Sequence, residues 1–173
     1  MIQLSYQAAF DPYHAAFRLL RLAVLLESAG AVTKTAAKII DFFILFPFRI
    51  DEITFTQKHR KFKRLAKKYA YTRPYGLQPS PRAIFQRMTA LQDASIDTLT
   101  AHGYLDVEAA NRDLFRLGAS LPQDLRDRIE AANAHVSQKE LVEFVLAISE
   151  YPVPGPSGLK ARSGLMEYRY DAL

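Results

Sequence analysis

The 173-residue chain contains no cysteine and no tryptophan. Without thiols there is no disulfide, no thiolate-bound zinc, no cysteine-held iron–sulfur cluster and no cysteine nucleophile. Long apolar runs are missing too. The stretch at residues 42–46 is five residues long and stops at Pro47, against the roughly 20 needed to span a bilayer. The opening MIQLSYQAAFDPY is mixed and polar, without the basic-then-apolar order of a secretory leader. Also absent are G-x-x-x-x-G-K-[ST], G-x-G-x-x-G, G-x-S-x-G and H-E-x-x-H. The four histidines, His14, His59, His102 and His135, stand far apart with no second metal-type residue at ligand spacing. No serine sits in a strained strand-to-helix turn, and no local pair of carboxylates reads as buried. The expectation is a non-enzymatic, cytoplasmic protein with no catalytic, cofactor-binding or metal-binding residue.

What is present is an ordinary globular composition, 49% hydrophobic, 12% aromatic and 24% charged. A chain of this length buries roughly 68–70% of its unfolded surface in one core, so one domain spanning residues 1–173 is expected. The net charge of +5 comes from 23 basic and 18 acidic residues, and it is concentrated. Between Thr56 and Arg73 lie eight basic residues and no acid, which leaves 15 basic against 18 acidic residues elsewhere, a net of −3.

Asp11-Pro12 reads as an N-cap followed by proline at the first helical position, and Gly30 as a stop, so a helix is expected over residues 12–28. Its wheel places Tyr13, Ala16, Phe17, Leu19, Leu20, Ala23, Val24 and Leu26 on a wide apolar arc, with His14, Arg18 and Arg21 opposite. A second helix starts at Thr33 or Thr35 and ends before Pro47. It is so apolar that it belongs in the centre of the core or in an interface, and its one interior acid, Asp41, is expected to pair with Lys38 or an arginine. Residues 57–71 read as a third helix, with Phe62, Leu65, Ala66 and Tyr69 on one stripe and Arg60, Lys61, Lys63, Arg64, Lys67 and Lys68 on the other. TRPYGLQPSPR then forms an ordered loop before a helix restarts at Ser80-Pro81.

From residue 81 the order reads helix (Ile84, Phe85, Met88), helix (Leu91, Ile96, Leu99), Gly103, strand (104–107), turn (110–111), strand (114–115). With residues 36–46 as its first helix, this is the order of a winged helix. The alternative is a helical segment over 108–117. The expected fold is therefore mainly α: a helical domain built around a winged-helix-like core at about 36–117 with a small β wing, a basic helical insertion at 48–80, C-terminal helices at 122–149 and an extended tail at 150–173. Ser137 to Glu140 reads as a capping box with Val136 and Leu141 as its hydrophobic staple. Residues 165–170 alternate like a strand.

The basic face suits either phosphates or an acidic partner surface, so Arg60, Lys61, Lys63, Arg64, Lys67 and Lys68 are its candidate contacts. Sequence-specific reading of DNA is disfavoured, because the would-be recognition helix at 92–102 carries Asp93 and Asp97 and no Lys or Arg. In the tail, Leu159, Lys160, Arg162, Leu165, Glu167, Tyr168, Arg169 and Tyr170 are candidate partner-docking residues, too apolar and aromatic as a set for a free tail. The same strand packed on its own core is the alternative.

The segments AFDPYHAAFRLLRL, AAKIIDFFILFPFRI, TRPYGLQPSPRAIFQRMTALQDASIDTLTAHGYLD and GLKARSGLMEYRYD resemble the middle components of ABC-three-component systems. These include the small third subunit of Lamassu-type anti-phage defence systems. The resemblance runs over residues 9–171, and its most specific pieces are 39–47, the helix start Pro81-Arg82…Phe85, and the C-terminal Gly158-Leu-Lys…Glu167-Tyr-Arg-Tyr-Asp171. It implies a non-catalytic adaptor that binds an SMC-like or Rad50-like ABC ATPase, in a complex that senses foreign DNA or DNA ends and controls an effector nuclease. The alternative read from the residues is a winged-helix DNA-binding regulator.

Overall fold

In the computed structural model, which describes residues 8–169, local chemistry starts the first helix as expected. The Asp11 carboxylate accepts the N–H groups of Tyr13 and His14 at 2.9 and 3.0 Å, and Pro12 gives up no hydrogen bond at the first turn. Helix α1 runs Pro12–Leu26. After the short strand β1 (Val32–Thr33), the Thr33 hydroxyl accepts from Ala36 N at 3.0 Å and opens α2 (Lys34–Leu45). The chain continues through 3-10 turns at Pro47–Glu52 and Gln57–Phe62, α3 (Lys63–Lys68) and a further turn at Ala70–Thr72. Then come α4 (Pro81–Ala101), α5 (Val107–Asn111), β2 (Leu114–Phe115), α6 (Gln123–Ala134), a turn at Val136–Gln138, α7 (Lys139–Ser149) and α8 (Leu159–Ser163). The fold is mainly helical.

Helix α2 is the axis of the core. It packs against α1, α4, α7 and α8, and its Phe42 ring meets those of Phe43, Phe46 and Phe85 at 5.2, 5.0 and 6.0 Å. Phe43 meets Phe144 of α7, which in turn meets Phe55 and Phe62, so a chain of edge-on and tilted aromatic contacts joins three layers of the fold. Asp41 sits within this apolar helix at 0% exposure. Its oxygens accept from Arg18 Nε at 2.7 Å and Nη2 at 3.1 Å, and from Gln92 Nε2 at 2.9 Å. The expected arginine partner is thus Arg18, whereas Lys38 pairs with Asp93 at 2.8 Å.

This pair reorients α1. Arg18 turns inward with Ala15, Leu19, Leu22 and Leu26, and Tyr13 and Phe17, expected on the buried arc, face outward at 85% and 45% exposure. Once a guanidinium satisfies a buried carboxylate, its side of the helix can be the core side.

The two helices expected over 81–102 are one. Ile84, Phe85, Met88, Gln92, Ser95, Ile96 and Leu99 form an unbroken buried stripe on α4. The gap between Met88 and Ile96 looked like a turn because polar residues fill it. Gln92 is there to donate to Asp41 and to the Lys38 carbonyl. The helix pair of a winged-helix core at 36–117 does not form as such, and the stretch read as strand and turn opens as helix α5, capped by Asp106 accepting from Ala109 N at 2.7 Å. Strand β2 pairs antiparallel with β1, Val32 opposite Phe115. Of the expected wing, the strand at 114–115 forms as β2, and Leu105, in the first expected strand, makes an antiparallel bridge to Leu117.

Two C-terminal expectations are also corrected. The capping box does not close: the Ser137 hydroxyl lies 2.8 Å from His135 Nδ1, Glu140 reaches Lys68 at 3.0 Å, and Val136 is exposed. Among the described residues, 165–169 form no strand. Instead α8 seats Leu159 and Leu165 in the core at 0% and 1% exposure. Gly158 permits this, because a Cβ there would run into the Pro154 and Val153 carbonyl oxygens, and Gly164 closes the helix with φ 67°.

Candidate interaction surfaces

The basic segment forms as a 3-10 turn that leads directly into α3. Its apolar stripe is buried as expected, with Phe62, Leu65, Ala66 and Tyr69 in the core, while Arg60, Lys61, Lys63, Arg64, Lys67 and Lys68 stay exposed. The cations divide into two groups. On the side facing α7, Lys58 pairs with Glu150 and Lys68 with Glu140, each at 3.0 Å, and Lys61 lies 5.0 Å from the centre of the Phe62 ring. The Lys68 hydrogen bond holds the Glu140 carboxyl below its usual range, and the Lys58 hydrogen bond does the same for Glu150. Arg60, Lys63, Arg64 and Lys67 have no carboxylate within 4.0 Å among the described residues, and of these Arg64 stands nearest α7, where its charge helps lower the Glu140 pKa. Lys63, Arg64 and Lys67 lie on α3, with Lys63 and Lys67 one turn apart, and Arg60 stands three residues before Lys63 in the preceding 3-10 turn. Tyr71, 82% exposed, follows four residues after Lys67, and Tyr75 and Leu77 stand out from the loop beyond it.

Between this segment and α7 opens a cleft of about 370 Å³ lined by Lys58, His59, Lys61, Phe62, Glu143, Leu146, Ala147 and Glu150. His59, read only as unremarkable from the sequence, is buried at its edge. Its Nδ1 lies 2.9 Å from the Tyr151 hydroxyl, which also accepts from Thr56 N at 3.2 Å. Burial, and then the charge of Lys58, hold the His59 pKa below 6.5, with Glu150 opposing them. The folded chain therefore keeps His59 neutral where the unfolded chain already binds a proton. This contribution to stability is complete above about pH 6.5 and is lost as the pH falls through the lower, folded value. The melting temperature is expected to fall between about pH 7 and 5, and to fall less steeply for His59→Gln. Parallel pH profiles for the two proteins would dismiss His59 as a contributor.

The candidate docking residues of the tail separate. Leu159 and Leu165 belong to this chain's own core. Arg162 donates to the carbonyls of Ser157 at 2.6 Å and Thr54 at 2.8 Å and stacks 4.9 Å from the Tyr151 ring centre. Lys160 is half-buried, and Glu167, Tyr168 and Arg169 remain wholly or partly accessible. Tyr170 lies outside the described residues. An accessible surface absent from the sequence reading is on α1, where Tyr13 and Phe17 stand one turn apart. Phe10 precedes them, with the Arg87 guanidinium 4.6 Å from its ring centre. Their exposure could not be read from periodicity, which assigns aromatics inward by default.

Among the described residues, no cluster of three or more His, Asp or Glu could hold a metal, and no helix is long and apolar enough to cross a membrane. The family model described as ABC-three component (ABC-3C) system Middle Component 5 matches residues 4–171. No curated protein and no solved structure gives a significant match.

Proposed function

The chain belongs to the middle components of ABC-three-component systems, family 5, and from that premise we propose that it is a non-catalytic adaptor whose helix α1 docks on another component. It works as one part of a multi-component system. The partner proposed for α1 is an SMC-like ABC ATPase, in an anti-phage complex of Lamassu type whose effector is a nuclease. The observation that carries the adaptor reading is the exposed pair Tyr13 and Phe17 on a helix whose other face is locked into the core. Rigid, exposed aromatics are the residue type on which protein interfaces concentrate their binding energy. The apolar area they present matches an apolar pocket on the partner better than a solvated role.

Tyr13→Ser with Phe17→Ser is expected to leave the melting temperature within a few degrees, since both side chains are largely in water already. Retention of the chain by an affinity-tagged ATPase of the proposed system should fall at least tenfold, as for the loss of one interface hot spot of about 2 kcal/mol. Undiminished retention of the double variant would remove α1 from the interface.

A further inference from the structure

We propose that the exposed cations Arg60, Lys63, Arg64 and Lys67, with the exposed Tyr71 beyond them in the same segment, bind the phosphate backbone of unpaired nucleic acid. The other cations of the segment are already engaged. Lys58 and Lys68 are held by Glu150 and Glu140, Arg73 lies 5.5 Å from the Phe48 ring centre and Lys61 lies over Phe62. Arg60, Lys63, Arg64 and Lys67 have no ion pair or ring contact among the described residues, yet they stand exposed close together in one short segment. Four like charges close together repel one another, and a polyanion laid along them relieves that repulsion.

Two features favour phosphate over an acidic protein surface. Lysine is depleted from the buried centres of protein interfaces, whereas as a compact point charge it is an ordinary phosphate ligand. In addition, an exposed tyrosine, Tyr71, follows the cations in the 3-10 turn that ends the segment. Its ring is 6.4 Å from that of Tyr69. Cations followed by an accessible aromatic plane are the arrangement on which successive bases stack while the backbone is neutralised. Duplex DNA hides its base faces and can use only the charges. The face thus provides no base-edge reading and should be indifferent to sequence.

The test is made on the isolated full chain, so it does not depend on α1 docking and can fail while the adaptor reading stands. Fluorescence anisotropy follows a labelled oligo(dT) strand and a mixed-sequence duplex as salt is raised from about 50 to 200 mM. For four phosphate contacts on a single strand, log K against log [salt] should have a slope of about −3, an affinity loss of roughly 50-fold over that range. Arg64→Gln should lower the slope by about 0.7, and neutralising all four cations to Gln should abolish binding at low salt. Tyr71→Ala should weaken the single strand by about 5- to 150-fold and leave the duplex unchanged. Arg112→Gln with Arg128→Gln, exposed cations outside the segment, should bind as wild type, and thermal melts establish that every variant is folded.

Any of four results overturns the proposal: no binding by the wild type at low salt, a folded quadruple variant that binds as wild type, equal losses in the control outside the segment, or a polyglutamate peptide that competes as well as the oligonucleotide. The last would assign the face to an acidic protein.

Discussion

Asp41→Ala is expected to lower the melting temperature by roughly 6–20 °C. The carboxylate is fully buried and its two oxygens take three hydrogen bonds, two from Arg18 and one from Gln92. Removing it leaves the Arg18 guanidinium enclosed between α1, α2 and α4 without its counter-charge, keeping, among the described residues, only the Ala8 carbonyl at 3.0 Å. Breaking one side of a buried ion pair typically costs about 3–5 kcal/mol. For a chain of this size each kcal/mol is worth about 2–4 °C. The cost belongs to the stranded charge, so Arg18→Met combined with Asp41→Leu should recover most of the loss, and the double variant should melt well above the sum of its singles. Thermal melts of the four proteins check this. If Asp41→Ala melts within about 2 °C of wild type, the pair does not hold the three helices in register.

Ending the chain after Pro156 should have the other large effect, an insoluble protein or one without a cooperative transition. The deleted segment carries Leu159 and Leu165, both sealed in the core. Loss of one such leucine side chain typically costs about 2–5 kcal/mol, so the two together approach the roughly 5–15 kcal/mol by which whole domains are stable. The segment also fastens the chain before the basic turn. Thr54 N donates to the Arg162 carbonyl at 2.9 Å, while Arg162 Nη1 returns a bond to the Thr54 carbonyl. Expression yield, near-ultraviolet circular dichroism and a thermal melt of the truncated and full chains decide the matter. A soluble truncated protein with a sharp melt near that of the full chain would contradict the burial argument and return residues 158–169 to the role of a docking segment.

Helix starts at Asp11-Pro12 and Ser80-Pro81, and the second start to within Thr33 or Thr35, were legible in the sequence because capping is a contact between residues two or three apart. The two faces of residues 57–69 were legible for the same reason: charge and apolarity alternate there at a helical period, and no distant residue disturbs the pattern. Failures cluster where a polar side chain was destined for the core. Gln92 broke the apolar stripe of α4 and made one helix look like two, and Arg18 seemed to mark the solvent side of α1. Both are satisfied by Asp41, which stands 23 residues from one and 51 from the other. The capping box failed in the same way, its Glu140 drawn to Lys68 across 72 residues.

The sequence by itself determined that the chain is mainly helical, that residues 34–45 are central, and that its charge excess lies on one face of one segment. These are properties of composition and short-range periodicity, which tertiary contacts do not alter. Only the tertiary structure decided which cations of that segment are neutralised by α7, which aromatics of α1 are left in water, and that the tail completes the core. Each depends on a partner brought close by folding, and the desolvation cost of an unpaired charge or the gain of burying a leucine is fixed by that partner and by nothing nearby in the chain.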